Sequence, residues 1–495
     1  MNTQEELAET APHATLPDTK LNKRLQRILV QLDGRLEESI PMSMADQGQS
    51  KAYYRFVNNE RVETQALLAA NRQAVLGGVL EMALEQFVLL AIQDTTELDL
   101  TGKRSAQALG SLSYVHQKGL YLHNHLLLTE QGEALGLLDQ QFLERDPAQL
   151  GKSRQNRYQP FEQKESFRWL EQFNHLQQAF QDQPHKQVIQ ICDREADIHE
   201  LLQARTTAHV HYIIRSRHDR RIQPLDSAQQ QGSAQQQGPA SQPSQSPQPA
   251  ERIYQQLSAQ QSQFSYQLLV DHPQHGERLA HLQVRYCQVL IQPPYRPKQH
   301  TPLEPVTLWL VETSEVNPPD GVEALCWRLL TSLPVEDELT ARRVIRYYTY
   351  RWRIERFHFV LKQGCRVEKL QLAQVEPLKK AIILYSWIAL KVLQTQHLLQ
   401  NQPQAPLSTI GISELDYLIV YQYLNSKQSL KSKAAKLPAK SPKPTLAEWA
   451  ALLALILGSK LSKDGSLGVV SLWRAYHKFL LIREAYFAFR DVGNR

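Results

Sequence analysis

Cysteine is scarce in this sequence, and its spacing excludes two kinds of stabilising site. The 495 residues contain four cysteines, at positions 192, 287, 326 and 365, and no two of them form a CxxC pair. This spacing argues against a structural zinc site and against a disulfide scaffold, and it suits a reducing cytosol. We therefore expect a cytoplasmic protein.

Long apolar runs are also absent. The longest, near 381–390 and 449–457, are about half the ~20 residues that a membrane-spanning helix needs. The N-terminal stretch MNTQEELAETAPHATLPDTK has no apolar core of the signal-peptide type. The sequence thus predicts buried helices and no membrane partner.

Neither sign of charge is in large excess over the whole chain. The 56 Lys and Arg residues face 50 Asp and Glu residues, for a net charge of +6, which permits a polyanionic partner without proving one. The basic residues are clustered, however, because residues 341–380 hold eleven Lys or Arg against three acidic residues. A composition of 42% hydrophobic and 21% charged residues is typical of a globular protein.

Two aspartates follow apolar stretches that are typical of buried strands. Asp94 ends the strand-like run in FVLLAIQDTTEL, and Asp193 ends the one in QVIQICDREADIHELL. A third strand-like segment, HVHYIIRSR, carries Arg215 near its end. In open α/β sheets, ligands and catalytic groups collect outside the carboxyl ends of the strands. Either aspartate alone is equally well explained as a turn or N-cap residue.

Between and around these strands the patterns predict three regions. Residues 21–74 are helical with basic clusters, and the chain from about residue 377 is helical again. Residues 223–250 contain ten Gln, five Pro and five Ser, a composition that predicts a disordered loop. The strand-like runs that follow this loop predict a β insertion. The fold class is therefore α/β, with a β-strand insertion and helical N- and C-terminal parts.

Four residues of the basic segment fall on one face of a predicted helix that opens after Pro334 and closes at Gly364. Tyr348, Arg351, Glu355 and Lys362 are spaced by three, four and seven residues, which keeps them within an arc of about 60° on an α-helix. The plain alternative is a solvated amphipathic helix with i,i+4 ion pairs.

Asp94, Asp193 and Glu355 together favour metal chemistry over that alternative. Three carboxylates are the minimum set that holds two Mg²⁺ ions ~3.5–4 Å apart for in-line phosphoryl transfer. His123 and His125 share one strand face, but no third ligand is nearby in the pattern, so we interpret them as structural histidines and not as a zinc site.

The segments LLAIQDTTEL, ICDREADIHELL and YYTYRWRIERFHFVLKQG resemble the three catalytic blocks of the insertion-sequence-four family of DDE transposases. The third block matches that family's signature of Tyr, two residues, Arg, three, Glu, six and Lys without a gap. The resemblance implies a ribonuclease-H-like catalytic core at 76–375 (β insertion at about 215–333), an N-terminal DNA-end-binding domain at 1–75 and a C-terminal dimerisation domain at 376–495.

The same resemblance implies roles for individual residues. Asp94, Asp193 and Glu355 would ligate two Mg²⁺ ions, for which Mn²⁺ would substitute, while Tyr348, Arg351 and Lys362 would grip phosphates. Trp327 matches the tryptophan that stacks on a flipped base during hairpin formation. The remaining DNA contacts implied near the transposon end are Arg194 and Arg215 in the catalytic part and Lys23, Arg24 and Arg55 in the N-terminal helices.

The implied activity is cut-and-paste transposition by a nucleoid-associated bacterial protein. The implied partners are the double-stranded DNA of the inverted-repeat ends, the target DNA and a second copy of the chain. Two alternatives stay open: a DNA-binding regulator that keeps the fold without catalysis, and a plain nuclease that needs neither Trp327 nor a dimer.

Overall fold

The computed structural model describes residues 16–82, 87–145, 159–223, 251–272, 276–295, 303–428, 440–463 and 465–493. The low-complexity loop predicted at 223–250 lies, from residue 224 onward, outside this described part. None of the helices in the described ranges combines the length and the apolarity that a bilayer crossing requires.

A ten-stranded mixed sheet forms the centre of the fold. Its strands, in chain order, are β1 (Phe87–Asp99), β2 (Gly119–Thr129), β3 (Ala134–Leu143), β4 (Lys186–Cys192), β5 (Val210–Arg215), β6 (Ile222–Gln223), β7 (Phe264–His272), β8 (Gly276–Ile291), β9 (Val306–Glu315) and β10 (Cys326–Thr331).

The sheet joins two parts of different character. In the first part, ordered β3-β2-β1-β4-β5, β1 pairs antiparallel with β2 and parallel with β4, and β4 pairs parallel with β5. The second part, β10-β9-β8-β6 with β7 on β8, is antiparallel throughout and is hydrogen-bonded to β5 through β10. The strand-like runs predicted after residue 250 are therefore strands, and they extend the central sheet.

Helices cover the sheet and form both ends of the chain. The α-helices are α1 (Thr19–Leu32), α2 (Ile40–Ser43), α3 (Gln47–Val57), α4 (Thr64–Glu81), α5 (Phe167–Ala179), α6 (His199–Leu202), α7 (Ile253–Ala259), α8 (Glu338–Thr349), α9 (Trp352–Phe359), α10 (Val375–Asn401), α11 (Glu414–Gln428), α12 (Leu446–Leu457) and α13 (Val469–Gly493). A π-helical turn, Val360–Gly364, follows α9. Short 3₁₀ helices occupy Arg104–Ala108, Phe161–Gln163, Arg194–Ala196, Val367–Lys369 and Leu407–Ile410.

Several helices begin at side-chain caps that are visible in the sequence. Asp18 accepts a hydrogen bond from the Lys20 backbone at the start of α1, and Asp337 forms a capping box with Thr340 at the start of α8. Such caps satisfy backbone N–H groups that have no partner inside the helix and contribute about 1 kcal/mol each. They explain why α8 begins four residues after Pro334.

The alternating side chains of β1 divide the interior into two cores. Leu90 and Ile92 belong to a core that also includes α1 to α4 and α8 to α10, while Leu89 and Ala91 belong to one that includes α5, α6 and α7. This period of two is what a strand buried on both faces requires. A third core lies within α10 to α13. We call the face of the sheet under α8 to α10 the front face.

Candidate active site

Asp94 lies on the front face of β1, at the point where β1 loses one neighbour. The parallel pairing of β1 with β4 ends at Ile92 and Ile191, whereas the antiparallel pairing with β2 continues to Asp99. The prediction that the strand ends at Asp94 is therefore wrong by five residues. The reason is that the polar residues after Asp94 are held in the strand by β2 alone. Asp94 is nevertheless at the open edge that the departure of β4 creates.

Asp193 directly follows β4, as predicted. The strand ends at Cys192, and Asp193 then caps the 3₁₀ turn Arg194–Ala196 by accepting a hydrogen bond from the Glu195 backbone N–H at 2.8 Å. Because β1 and β4 are parallel neighbours, Asp94 and Asp193 lie beyond the same edge of the sheet. The charge of Asp193 contributes to the raised pKa of Asp94.

The signature segment is not one helix, contrary to our prediction. The α8 helix ends at Thr349, α9 begins at Trp352, and a π-helical turn starts at Val360. Around the break the backbone bonds shift to the tighter i→i+3 pattern, as in Arg351 N–H to Tyr348 O at 3.0 Å. The four signature residues are therefore carried by two helices, the turn between them and a π-helical turn.

The break directs Arg351 between two of the three predicted metal ligands. Its guanidinium forms an ion pair with Glu355 and lies 3.6 Å from the Asp94 carboxylate. The Arg351 side chain is only 11% exposed, so this contact is weakly screened by solvent. Arg351 thus bridges a carboxylate on the sheet and a carboxylate on α9.

The pKa of Asp94 reflects its burial and its charged neighbours. Burial raises the pKa of Asp94 to about 7, with a further rise from Asp193, opposition from Arg351 and a smaller rise from Glu355. Asp94 therefore lies within the electrostatic reach of both other predicted acids.

The donor set suits a divalent cation, although the arrangement is not a ready-made metal site. Three carboxylates offer the hard oxygen ligands that Mg²⁺ prefers. Within the described ranges, however, no three acidic, histidine or cysteine side chains are arranged to hold a metal. Arg351 supplies the balancing charge between Asp94 and Glu355.

Two of the remaining signature and stacking residues pack beside the acids. Tyr348 is buried, and its ring lies 5.6 Å from that of the half-buried Trp327 in an edge-on contact. Burial raises the pKa of Tyr348, and the guanidinium groups of Arg351 and Arg215 oppose that rise. Trp327 is thus held at the front face, beside the signature segment.

Lys362 is directed to the outer end of β1. Its ammonium group donates to the Glu97 backbone carbonyl at 2.7 Å and lies 3.4 Å from Glu368. The side chain is 28% exposed. Lys362 therefore adds positive charge on the front face, three residues along β1 from Asp94.

Arginines from several segments form a cavity of about 420 Å³ beside the acids. The sequence-predicted Arg194 and Arg215 both line it, which places them together next to Asp193. Five further residues line it, and all were missed from the sequence as site residues: Arg217, Arg328, Tyr254, Ser216 and Cys326. A signal existed for the first two, because Arg217 lies in the basic run RSRHDRR and Arg328 adjoins Trp327. We call this cavity the basic pocket.

A buried aspartate shapes the rim of the basic pocket. Asp197 accepts hydrogen bonds from the backbone N–H groups of Arg217 and His218, at 2.7 and 3.0 Å, and from Arg220 Nε at 2.8 Å. The Asp197 side chain has no exposed surface. A carboxylate with this many donors fixes the course of a loop, so Asp197 holds the segment that carries Arg217.

The predicted N-terminal contacts lie on α1 and α3. Lys23 and Arg55 are exposed, and Lys20 and Arg27 lie on the same exposed side of α1 as Lys23. Arg24 is half-buried and donates to Gln49 at 3.0 Å, which links α1 to α3. Lys23 and Arg55 are thus available to a ligand, whereas Arg24 has a structural contact.

The two histidines of β2 are both buried. His123 lies 2.8 Å from the Thr95 hydroxyl and 3.3 Å from Gln93. Burial strongly lowers the pKa of His123 and lowers that of His125 to about 4, so both rings are neutral near pH 7.

Comparison with known proteins gives two matches to transposase families. Residues 4–62 match the model described as Transposase DNA-binding, and residues 165–390 match the one described as Transposase DDE domain. The second range contains Asp193 and the four signature positions, which include Glu355. Asp94 precedes this range. The chain is therefore similar to DDE transposases over these two ranges, and the second match supports an enzyme that acts on DNA.

Among solved structures, the chain is similar to a piggyBac transposase determined by cryo-electron microscopy as a synaptic complex with hairpin DNA. The alignment has a TM-score of 0.29 and 10% sequence identity, and it covers 77% of this chain and 61% of that one. A TM-score this low does not define a shared fold.

Proposed function

We propose that this chain is a DNA transposase of the insertion-sequence-four type, with Asp94, Asp193 and Glu355 as its metal ligands. The observation that carries the proposal is the placement of these acids: Asp94 on β1 and Asp193 directly after the parallel neighbour β4, with Arg351 in contact with both Asp94 and Glu355. Divalent ions bound there, Mg²⁺ or its substitute Mn²⁺, would supply Lewis-acid activation of the phosphate and of the attacking oxygen.

The proposed core is of the ribonuclease-H-like type. Support comes from the strand order β3-β2-β1-β4-β5, with three antiparallel strands followed by two parallel ones. Further support comes from the placement of the acids on β1, directly after β4, and on a helix of the front face.

In the proposed reaction the surrounding side chains position DNA and balance its charge. Arg351 would exchange its carboxylate contacts for a phosphate, which frees Glu355 and Asp94 for metal. The basic pocket would hold phosphates of the DNA beside the cut, because guanidinium groups bind phosphate through paired hydrogen bonds. Lys362 would contact the strand beside the cut.

The proposed sequence of steps is nicking, hairpin formation, hairpin resolution and strand transfer. Water attacks the phosphorus, and the bond to the 3′ oxygen breaks. The freed 3′-hydroxyl then attacks a phosphorus of the opposite strand, and the bond from that phosphorus to the 3′ oxygen of the flanking DNA breaks, so that the flanking DNA leaves with a 3′-hydroxyl. Trp327 would stack on a base flipped out of the hairpin, a contact worth ~1–3 kcal/mol. Its half-buried position beside Tyr348 supports that assignment.

The ends of the chain would bind DNA and a second copy. The exposed Lys23 and Arg55 would contact phosphates of the terminal repeat, with Arg24 holding α1 against α3. Synapsis would use the C-terminal helices, where Leu481 and Phe489 of α13 are exposed apolar side chains.

The experiment that tests this function uses supercoiled plasmid carrying the DNA that flanks the gene, with Mg²⁺. We expect nicked, hairpin and linear products from the wild type, resolved on denaturing gels, and no nicking by Glu355→Gln, with binding retained. The matched control is Glu338→Gln. Glu338 also forms an ion pair with an arginine four residues away, Arg342, but this pair lies outside the site. The Glu338→Gln variant should cleave normally.

The outcomes separate the three hypotheses. Cleavage by Glu355→Gln at the wild-type rate would show that Glu355 is not a ligand. A salt-sensitive gel shift without cleavage by the wild type would favour the regulator. Linear products without hairpins would favour the plain nuclease.

A further inference from the structure

A chain of hydrogen bonds runs behind the strand-end aspartates, on the sheet face opposite to the front face. Gln93 and Thr95 flank Asp94 in β1, so their side chains point to that opposite face. Thr95 is the register partner of His123 in β2, and its hydroxyl lies 2.8 Å from His123 Nδ1. The polar side chains of β1 are thus connected to β2 directly behind a predicted metal ligand.

The donors and acceptors of this chain can be assigned. Gln93 donates from Nε2 to Gln190 Oε1 at 2.8 Å, so its own Oε1, 3.3 Å from His123 Nε2, is left to accept. The neutral His123 ring therefore carries its proton on Nε2, and its Nδ1 accepts from the Thr95 hydroxyl. Gln190 in turn donates to Cys192 Sγ at 3.4 Å. The chain thereby reaches the last residue of β4.

Arg168 of α5 connects the two aspartate-bearing segments from outside the sheet. Its Nε donates to Thr95 Oγ1 at 3.2 Å, and its Nη2 donates to Glu195 at 2.9 Å. The Glu195 backbone N–H donates in turn to Asp193 Oδ1. The Arg168 side chain is only 11% exposed. One guanidinium therefore ties the residue after Asp94 to the turn that carries Asp193.

We propose that the chain of Arg168, Thr95 and His123 is a positioning device that fixes the separation of Asp94 and Asp193 and so sets their affinity for a divalent metal. The inference rests on the proposed function, which makes these aspartates metal ligands. Partners that hydrogen-bond metal ligands directly change affinity 10- to 100-fold when they are lost. Arg168, Thr95 and His123 act one step further out, because the groups that hydrogen-bond the two aspartates are the backbone N–H groups of Thr95 and Glu195. Thr95 is central, because its hydroxyl accepts from Arg168 and donates to His123.

The test compares three full-length variants with the wild type. Thr95→Val keeps the shape of the side chain and removes both hydrogen bonds, and Thr95→Ser restores the hydroxyl. Thr331→Val is the matched control, since the buried Thr331 also donates once, to Tyr212 O at 2.7 Å, and accepts once, from Leu333 N at 3.1 Å. Mn²⁺ binding to the protein without DNA is measured by electron paramagnetic resonance, together with the Mn²⁺ concentration for half-maximal plasmid nicking.

We expect Thr95→Val to weaken Mn²⁺ binding and raise the half-maximal concentration by about tenfold, while Thr95→Ser and Thr331→Val match the wild type. Unchanged Mn²⁺ binding in Thr95→Val, or an equal loss of binding in Thr331→Val, would overturn the inference. The proposed function would still stand if the wild type nicks DNA. A wild type that neither binds Mn²⁺ nor nicks would remove the proposed function and the inference together.

Discussion

At the residue scale, Asp94 is largely buried, and its pKa lies well above that of a free aspartate. Its pKa of about 7 arises first from burial and then from Asp193, with Arg351 in opposition. An unfolded aspartate titrates near pH 4. Between about pH 4 and 7, the folded chain therefore holds a proton that the unfolded chain has released.

This difference predicts how stability depends on pH without divalent metal. Because the folded pKa is raised, the contribution of Asp94 is fully present below about pH 4 and is lost as the pH rises through about 7. The loss is on the order of 4 kcal/mol. Asp94→Asn, which does not titrate, should become more stable than the wild type by a growing margin from pH 5 to pH 8, measured by urea unfolding in EDTA.

The control for this measurement is Asp320→Asn, which alters an exposed aspartate before β10. It should follow the wild type at every pH. A difference between Asp94→Asn and the wild type that stays constant from pH 5 to pH 8 would contradict the raised pKa of Asp94, because a constant difference in stability requires no proton release in this range.

At the element scale, two strand ends were predictable from the sequence, whereas the break between α8 and α9 was not. The strand ends at Asp193 and Arg215 could be predicted, because apolar runs give way there to polar residues. The break could not, since the segment RYYTYRWRIERF contains neither proline nor glycine. It is associated with tertiary contacts, which a helical period does not record.

Those contacts come from the turn between β2 and β3. Glu130 accepts a hydrogen bond from the Tyr347 hydroxyl at 2.9 Å, and the Tyr350 ring lies directly against Gly132. The same limit applies to the basic pocket and to Arg168, whose partners are distant in the sequence. Individual residue types were informative, but the contacts between separate elements were not predictable from them.

The turn against Tyr350 gives a prediction at this scale. Gly132 has φ of +83°, and a Cβ there would lie 2.5 Å from a Tyr350 ring carbon. Gly132→Ala should cost roughly 2–4 kcal/mol, the sum of a positive-φ penalty and overpacking, and should slow nicking because Arg351 is displaced. Gly102 has φ of +80° with open space around it, so Gly102→Ala reports the backbone penalty alone, about 1 kcal/mol.

Chemical denaturation and plasmid nicking measure both effects. In a Tyr350→Leu background the excess cost of Gly132→Ala over Gly102→Ala should shrink. Equal costs for the two alanine variants in the wild-type background would mean that the ring contact does not hold the bend.

At the scale of the whole molecule, residues 33–38 connect the three parts of the chain. The Glu37 N–H donates to Gly364 O at 2.8 Å at the end of the π-helical turn, and the Glu37 carboxylate accepts from Trp473 Nε1 of α13 at 2.9 Å. Asp33 forms an ion pair with Lys391 of α10 at 2.8 Å. One hydrophobic core also includes α1 to α4, the sheet and α8 to α10. We therefore expect the described parts to unfold together.

Glu37 is the residue at which this connection can be tested. Burial acts to raise its pKa, but hydrogen bonds from Trp473 and charges on Arg474 and Arg366 outweigh it and hold the pKa below its ordinary value. The stabilisation is therefore present above the ordinary pKa and is lost as the pH falls through the lowered one. Glu37→Gln should lower the Tm at pH 7, by an amount that shrinks below pH 4, in a calorimetric scan with one transition.

The comparison variant is Glu277→Gln, which removes the exposed pair of Glu277 with Lys463 and should shift the Tm little. A wild type with two resolved transitions would show that the helical ends unfold separately from the sheet. One transition with a pH-dependent Glu37 effect would mean that the linkage through residues 33–38 is part of the folding unit. The C-terminal helices would then be coupled energetically to the signature segment through Gly364, two residues beyond Lys362.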